Sequence, residues 1–305
     1  MKVNIVMNTT AKELLIQTMS AIDGAYATST IRSYRANFER FIQFCENYDT
    51  CPLPADSQDV ARYVSLLTKS GLKSSSIRIM IAAISSIHRL SMLNDPTQSP
   101  AVKIELRRMH RTLGRYSQQA FEITTPILEK MLAATADNLR GIRDRALLLL
   151  AYDSMCRRSE LVYLKIEDIH YESFEGKMKI RLRKSKTDQE LQGRWIFPSL
   201  RSAEAITNWI EMAKLTDGYL FRGINNAIDI TEDLRSSQIN RIYKRLARDA
   251  GLPKEIVNFI SGHSMRVGAA QDPLKSGASM PMIMNKGRWS KTDTVMRYLE
   301  NTTTI

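Results

Sequence analysis

A chain of 305 residues, 43% apolar and 25% charged, is long enough for two globular domains, each with its own core. Three cysteines and four scattered histidines exclude a disulfide framework and offer no paired metal ligands; no apolar run approaches the ~18 residues of a membrane span, and the N-terminus lacks a signal peptide's apolar core. The net charge of +12 fits a surface that neutralises phosphates, so a cytoplasmic protein working on DNA or RNA is expected rather than a merely basic soluble one.

The first hundred residues are predicted as a row of short helices. In TSTIRSYRANFERFIQFCENY a Thr or Ser cap precedes Ile31, Tyr34, Phe38, Phe41, Ile42 and Cys45 at helical spacing. PADSQDVARYVSLLTKSG opens on acidic residues and closes at Gly71. KSSSIRIMIAAISSIHRLSML follows, with Ile77, Ile81, Ile84 and Ile87 as its buried stripe, and NDPTQSP is a turn. AVKIELRRMHRTLGR is the fourth helix, in which Lys103, Arg107, Arg111 and Arg115 recur every four residues and form one slowly drifting stripe. A solvated face is the bland reading of that stripe. With only Glu105 to offset four cations, an anionic partner accounts for it better.

YSQQAFEITT is polar and aperiodic, which suits a linker at 117–124 between domains at 1–116 and 125–305. Helices resume with PILEKMLAAT and the strongly apolar GIRDRALLLLAYDSM, the expected central helix of a second core. MKIRLRKSKTDQELQGRWIFP alternates and reads as two strands joined by a polar loop. Helices return from residue 201. The expected fold is mainly α, with a helical N-terminal bundle and a C-terminal helical domain carrying a small antiparallel sheet.

The second domain scatters polar residues over otherwise apolar elements. Arg157 and Glu160 lie three apart after ALLLLAYDSMC; a surface ion pair is the default, yet an Arg ending so apolar a segment needs a planar anionic partner. Lys186, in KSKTD, is by itself an ordinary turn lysine. GHSMRVGAA sets His263 and Arg266 three apart at a helix start, where backbone N–H groups favour anions. Trp289 taken singly is a core residue, and Tyr298, nine residues on along a short amphipathic helix, is taken singly a core residue with its hydroxyl at the surface.

Taken in this order, Arg–Glu, Lys, His-x-x-Arg, Trp and Tyr resemble the tyrosine recombinase (phage integrase) family. RALLLLAYDSMCRRSEL, GHSMRVGAAQD and IMNKGRWSKTDTVMRYLEN carry the resemblance, and the N-terminal half through LRRMHR runs parallel to the family's SAM-like core-binding domain. Arg157, not Arg158, matches the family's arginine, because Glu160 falls three residues after it. The resemblance implies that Tyr298 attacks a DNA phosphodiester to give a 3′-phosphotyrosine, that Arg157 and Arg266 clamp the non-bridging oxygens, and that His263 and Trp289 donate further hydrogen bonds. Lys186 becomes the general acid for the leaving 5′-oxygen, with Glu160 in support. It also implies a two-domain clamp round double-stranded DNA, a homotetramer on paired inverted sites, and strand exchange through a Holliday junction. Neither a metal nor another cofactor is expected, since the covalent intermediate conserves the phosphodiester's energy and no phosphate loop is present. A type IB topoisomerase-like enzyme and a catalytically decayed, sequence-specific DNA-binding protein are the alternatives.

Two features depart from the family. Pro273 falls where the family continues a helix, predicting a kink that costs ~3 kcal/mol if the position is interior. The chain also stops seven residues after Tyr298, where a further helix docks on the neighbouring subunit in the family; assembly through other contacts, or truncation, is the expectation. For reading DNA the sequence nominates Arg32, Arg35, Lys73, Ser75 and Arg78 in the first domain. In the second, EDLRSSQINRIYKRLARD supplies Arg235, Gln238, Arg241, Lys244 and Arg248. Most of these would touch phosphates and carry no sequence information.

Overall fold

The computed structural model describes residues 10–115, 119–172, 176–183, 193–226 and 228–299. The chain forms two compact units that divide between Gln118 and Gln119.

The first unit's described elements are all helices, joined by turns. Helix α1 (Ala11–Ala21), which the apolar pattern did not announce, starts on a capping box in which Thr10 and Glu13 satisfy each other's backbone N–H groups. The expected Thr or Ser cap of α2 (Thr28–Asn47) is a correction: its N-cap is Ala27, without a side-chain hydrogen bond. Asp56 caps α3 (Ser57–Lys69), and α4 (Ser74–Leu90) follows Lys73. The predicted turn at NDPTQSP contains a short 3-10 segment, Pro96–Gln98, held by Asp95. Ser99 then caps α5 (Pro100–Leu113), with Pro100 in the first position, where a missing N–H costs nothing. Phe38, Phe41, Ile77, Ile84, Ile87, Val102 and Met109 fill the shared core.

A second core builds the other unit round α7 (Leu139–Ser154), whose Leu147, Leu148 and Leu150 are fully buried against Trp209, Phe221, Tyr243 and Leu246. Helix α6 (Thr125–Ala133) precedes it and the single turn α8 (Arg158–Leu161) follows. The sheet has three antiparallel strands rather than two: β1 (Ile169–Tyr171), β2 (Met178–Leu182) and β3 (Arg194–Ile196), in that order. Ile180 stands opposite both Ile169 and Ile196, so the apolar positions of β2 face the core. β1 is only three residues long and two of them are exposed, which leaves it no alternation to read.

Helix α9 (Leu200–Met212) packs along α7, and a two-stranded hairpin, β4 (Ile224–Asn225) with β5 (Asp229–Ile230), leads into α10 (Ser236–Asp249). The chain closes with α11 (Lys254–Phe259), α12 (Ser264–Lys275), α13 (Met280–Gly287) and α14 (Thr292–Leu299). Residues 121–124 pack within this unit: Phe121 N–H donates to Phe259 O at 3.1 Å and Ile123 N–H to Ser264 O at 3.0 Å. Pro273 does not end α12. It lies inside the helix, which continues to Lys275, so it cannot donate to the Ala269 carbonyl four residues back and the interior penalty applies.

Candidate active site

The end of α7 begins the site. Met155 adopts the left-handed conformation (φ 48°, ψ 29°), which stops the helix and turns the chain into α8. Arg157 is the N-cap of α8 and Glu160 the third residue of its first turn. The Arg157 N–H donates to Glu160 Oε2 at 2.9 Å, and Arg157 Nη1 donates to Oε1 at 2.7 Å. The pair is buried on the glutamate side, at 2% exposure, which is unlike the surface ion pair that spacing alone suggests. Burial alone would raise the Glu160 pKa. The Arg157 amide and the guanidiniums of Arg288 and Arg157 outweigh it, and the net direction is downward.

His263 is the N-cap of α12, and Arg266 lies in that helix's first turn, 1% exposed. Arg266 Nη1 donates to Met155 O and Nη2 to Gly287 O, so one guanidinium ties the end of α7 to the end of α13. Its carbon lies 4.3 Å from the centroid of the Trp289 ring. Burial, and then the Arg157 charge, lower its pKa to about 10, which still leaves it cationic at neutral pH. Although an edge of His263 is open to solvent, desolvation by the protein round its ring holds its pKa below 6.5, and the charges of Arg266, Arg157 and Arg158 add to the effect.

Trp289 is 7% exposed and packs on Tyr298, with ring centroids 5.4 Å apart. Gly287 makes room for it, since a Cβ there would lie 1.9 Å from the indole. Tyr298, half-buried on α14, is anchored by its carbonyl, which accepts from Gln271 Nε2 of α12 at 2.9 Å. A small cluster of Met155, Ala269, Ala270, Ile283, Trp289 and Val295 holds these pieces together.

Six of the seven sequence-nominated site residues thus fall within one connected cluster. The seventh, Lys186, lies outside the described residues. Arg158 is exposed and packs over Gly262, where a Cβ would come within 2.8 Å of its Cδ. Sequence reasoning missed Arg288, which joins the cluster through Glu160; only its place beside Trp289 hinted at it.

Of the nominated DNA-reading residues, Arg32, Arg35, Lys73, Ser75, Arg78, Lys103, Arg107, Arg111, Arg115, Arg235, Arg241 and Arg248 are exposed, while Gln238 and Lys244 are half-buried. The four-residue stripe needs a correction at Arg115. Helix α5 ends at Leu113 and Gly114 turns with φ 71°, so Arg115 leaves the helical face. Glu105 pairs with Arg108 instead of offsetting the stripe. Lys244 Nζ donates to Asn258 O at 2.9 Å, covering an end carbonyl of α11.

Residues 123–304 match the model of the phage integrase family, and residues 19–93 match its N-terminal SAM-like domain. The chain belongs to the phage integrase family. It is 30% identical over 267 residues to recombinase cre of Escherichia phage P1, covering 81% of this chain and 77% of that protein. An integrase/recombinase xerD homolog of Selenomonas ruminantium is 26% identical, over 95% of this chain and 86% of that one. Two solved structures share the fold at a TM-score of 0.68. One is the XerH site-specific recombinase bound to a palindromic difH substrate in a post-cleavage complex, at 17% identity over 96% of this chain and 82% of that one. The other is a lambda integrase tetramer bound to a Holliday junction, at 14% identity over 97% and 79%.

Proposed function

We propose that the protein is a site-specific DNA recombinase that cuts and rejoins double-stranded DNA through a covalent tyrosine intermediate. The observation that carries this is the stack of Arg266, Trp289 and Tyr298, at 4.3 and 5.4 Å, beside the Arg157–Glu160 pair. A phenol with pKa ~10 is a weak nucleophile and must lose its proton as it attacks. Tyr298 Oη forms the new bond to phosphorus, and the bond from phosphorus to the 5′-oxygen breaks. Arg157 and Arg266, two fixed cationic donors, stabilise the charge that develops on the non-bridging oxygens. His263, neutral at pH 7, and the Trp289 indole add hydrogen bonds. Lys186 supplies the proton that the leaving 5′-oxygen needs, while Glu160 orients Arg157. The resulting 3′-phosphotyrosine keeps the energy of the phosphodiester, so a 5′-hydroxyl of the exchange partner can reverse the step without ATP.

Assembly as a homotetramer on paired inverted sites, with strand exchange through a Holliday junction, follows from the likeness to the lambda integrase tetramer. Cytoplasmic DNA is the proposed location. The absence, among the described residues, of a helix able to cross a membrane accords with it.

The test uses DNA carrying a candidate site interrupted by a nick, which lets the cleaved strand diffuse away. The wild-type protein should form a covalent adduct in the absence of Mg²⁺ and ATP, whereas Tyr298→Phe should bind the same DNA and form none. An equally strong adduct from Tyr298→Phe would remove the nucleophile assignment; no adduct from wild type would favour a DNA-binding protein without cleavage. Lys186→Ala should slow cleavage of ordinary DNA and recover on a 5′-bridging sulfur substrate, whose leaving group needs no acid.

A further inference from the structure

Arg288 occupies a position that is unfavourable on two counts. It is the C-cap of α13 with φ 56° and ψ 47°, a left-handed conformation uncommon for a residue with a Cβ. Its side chain is only 8% exposed, and its Nε is buried without a hydrogen-bond partner. A glycine would escape both penalties. What the arginine gains is a set of contacts more than a hundred residues away in sequence. Nη1 donates to Ser154 O at 2.8 Å; Nη2 reaches Cys156 Sγ at 3.3 Å and Glu160 Oε2 at 3.2 Å.

Glu160 is therefore shared. Arg157 holds Oε1, and Arg157 N–H together with Arg288 holds Oε2. With Arg157 alone, one carboxylate would face one guanidinium and the pair would be neutral. Adding Arg288 gives two positive charges against one negative, a net +1 at the place where a phosphate is to bind. We infer that Arg288 is a positioning residue that takes up the charge of Glu160 and so leaves that of Arg157 available to the scissile phosphate. The same guanidinium ties the turn carrying Trp289 to the segment carrying Arg157, which keeps both halves of the clamp in one geometry. This inference rests on the proposal that Arg157 binds the phosphate.

Single-turnover cleavage of the nicked substrate at saturating protein tests it. Arg288→Met keeps much of the length and removes the charge. It should slow cleavage of the ordinary phosphodiester about tenfold or more. On a substrate whose scissile phosphate carries a methyl in place of one charged oxygen, the slowing should be less than about threefold, because little charge remains to be met. Adding Glu160→Gln to Arg288→Met removes the opposite charge and should recover part of the lost rate, and Arg288→Lys should fall between wild type and Met. Should Arg288→Met fail to fold in a thermal melt, Arg288→Gly relaxes the backbone and takes its place in every comparison. Equal slowing on both substrates, no slowing at all, or a double variant no faster than the single one would each overturn the inference. A wild-type protein that forms no adduct would overturn the parent proposal instead, before the Arg288 variants are compared.

Discussion

Glu160 and His263 are both held below their ordinary pKa values, for different reasons. In Glu160 favourable partners outweigh burial, whereas in His263 desolvation and three neighbouring cations act in the same direction. The consequence for Glu160 can be given a sign. Its folded pKa is lower than its unfolded value of about 4.5, so the unfolded chain binds the proton first as the pH falls. The stabilisation is present above that unfolded value and is lost as the pH drops through the folded one. The melting temperature of the wild type should therefore fall more steeply below pH ~4.5 than that of Glu160→Gln, each measured against its own plateau. For His263, removing one repelling charge should move the pKa back up. Arg158→Ala is the mildest way to do so, since Arg158 is exposed and is the weakest of the three cations that lower the value. An NMR titration of the imidazole should show a higher midpoint in the variant, and an unchanged midpoint would mean that the Arg158 charge does not contribute, leaving burial with Arg266 and Arg157 to set the value.

At the level of elements, the long helices were legible, α2 and α4 by apolar residues at the helical period, α3 by its acidic start and closing glycine, α5 by its recurring cations and α7 by its apolar run, and each lies where those signals put it. What failed had a local cause. Helix α1 has a mixed face and depends on its capping box, and β1 is too short to alternate. Arg115 kept the four-residue spacing of the stripe while Gly114 ended the helix beneath it. Within the site, residue types in order suggested the chemistry, but Arg288 stayed hidden because its partner Glu160 is distant in sequence and near only in the fold. Gly268 was equally silent. It lets α12 meet residues 121–124, and a Cβ there would stand 1.9 Å from Ile123 O. Backbone cannot step aside as a side-chain tip can, so Gly268→Ala should cost roughly 1–3 kcal/mol or more. Urea unfolding checks this, with a lower midpoint at unchanged slope as the expected result.

Across the whole molecule the charge of +12 is the property most directly tied to a DNA partner. Helix α5 shows its local side: Lys103, Arg107 and Arg111 are exposed, none of them has an ion pair among the described residues, and Glu105, the single acid of that helix, is occupied by Arg108. Like charges held together with nothing to offset them repel, and a polyanion relieves that repulsion by giving up its condensed counterions. Each phosphate so neutralised contributes about 0.9 to the slope of log binding constant against log salt concentration. Replacing Lys103, Arg107 and Arg111 together by Ala should make that slope shallower by roughly 2 to 3 and weaken binding at low salt. Because phosphate contacts carry no base information, the ratio of affinities for a cognate and a scrambled site should hardly change. Fluorescence anisotropy on both DNAs over a range of salt concentrations measures the two quantities at once. A slope unchanged by the triple substitution would place the stripe away from the DNA, as a solvated face, while a changed ratio with an unchanged slope would make these side chains readers of bases.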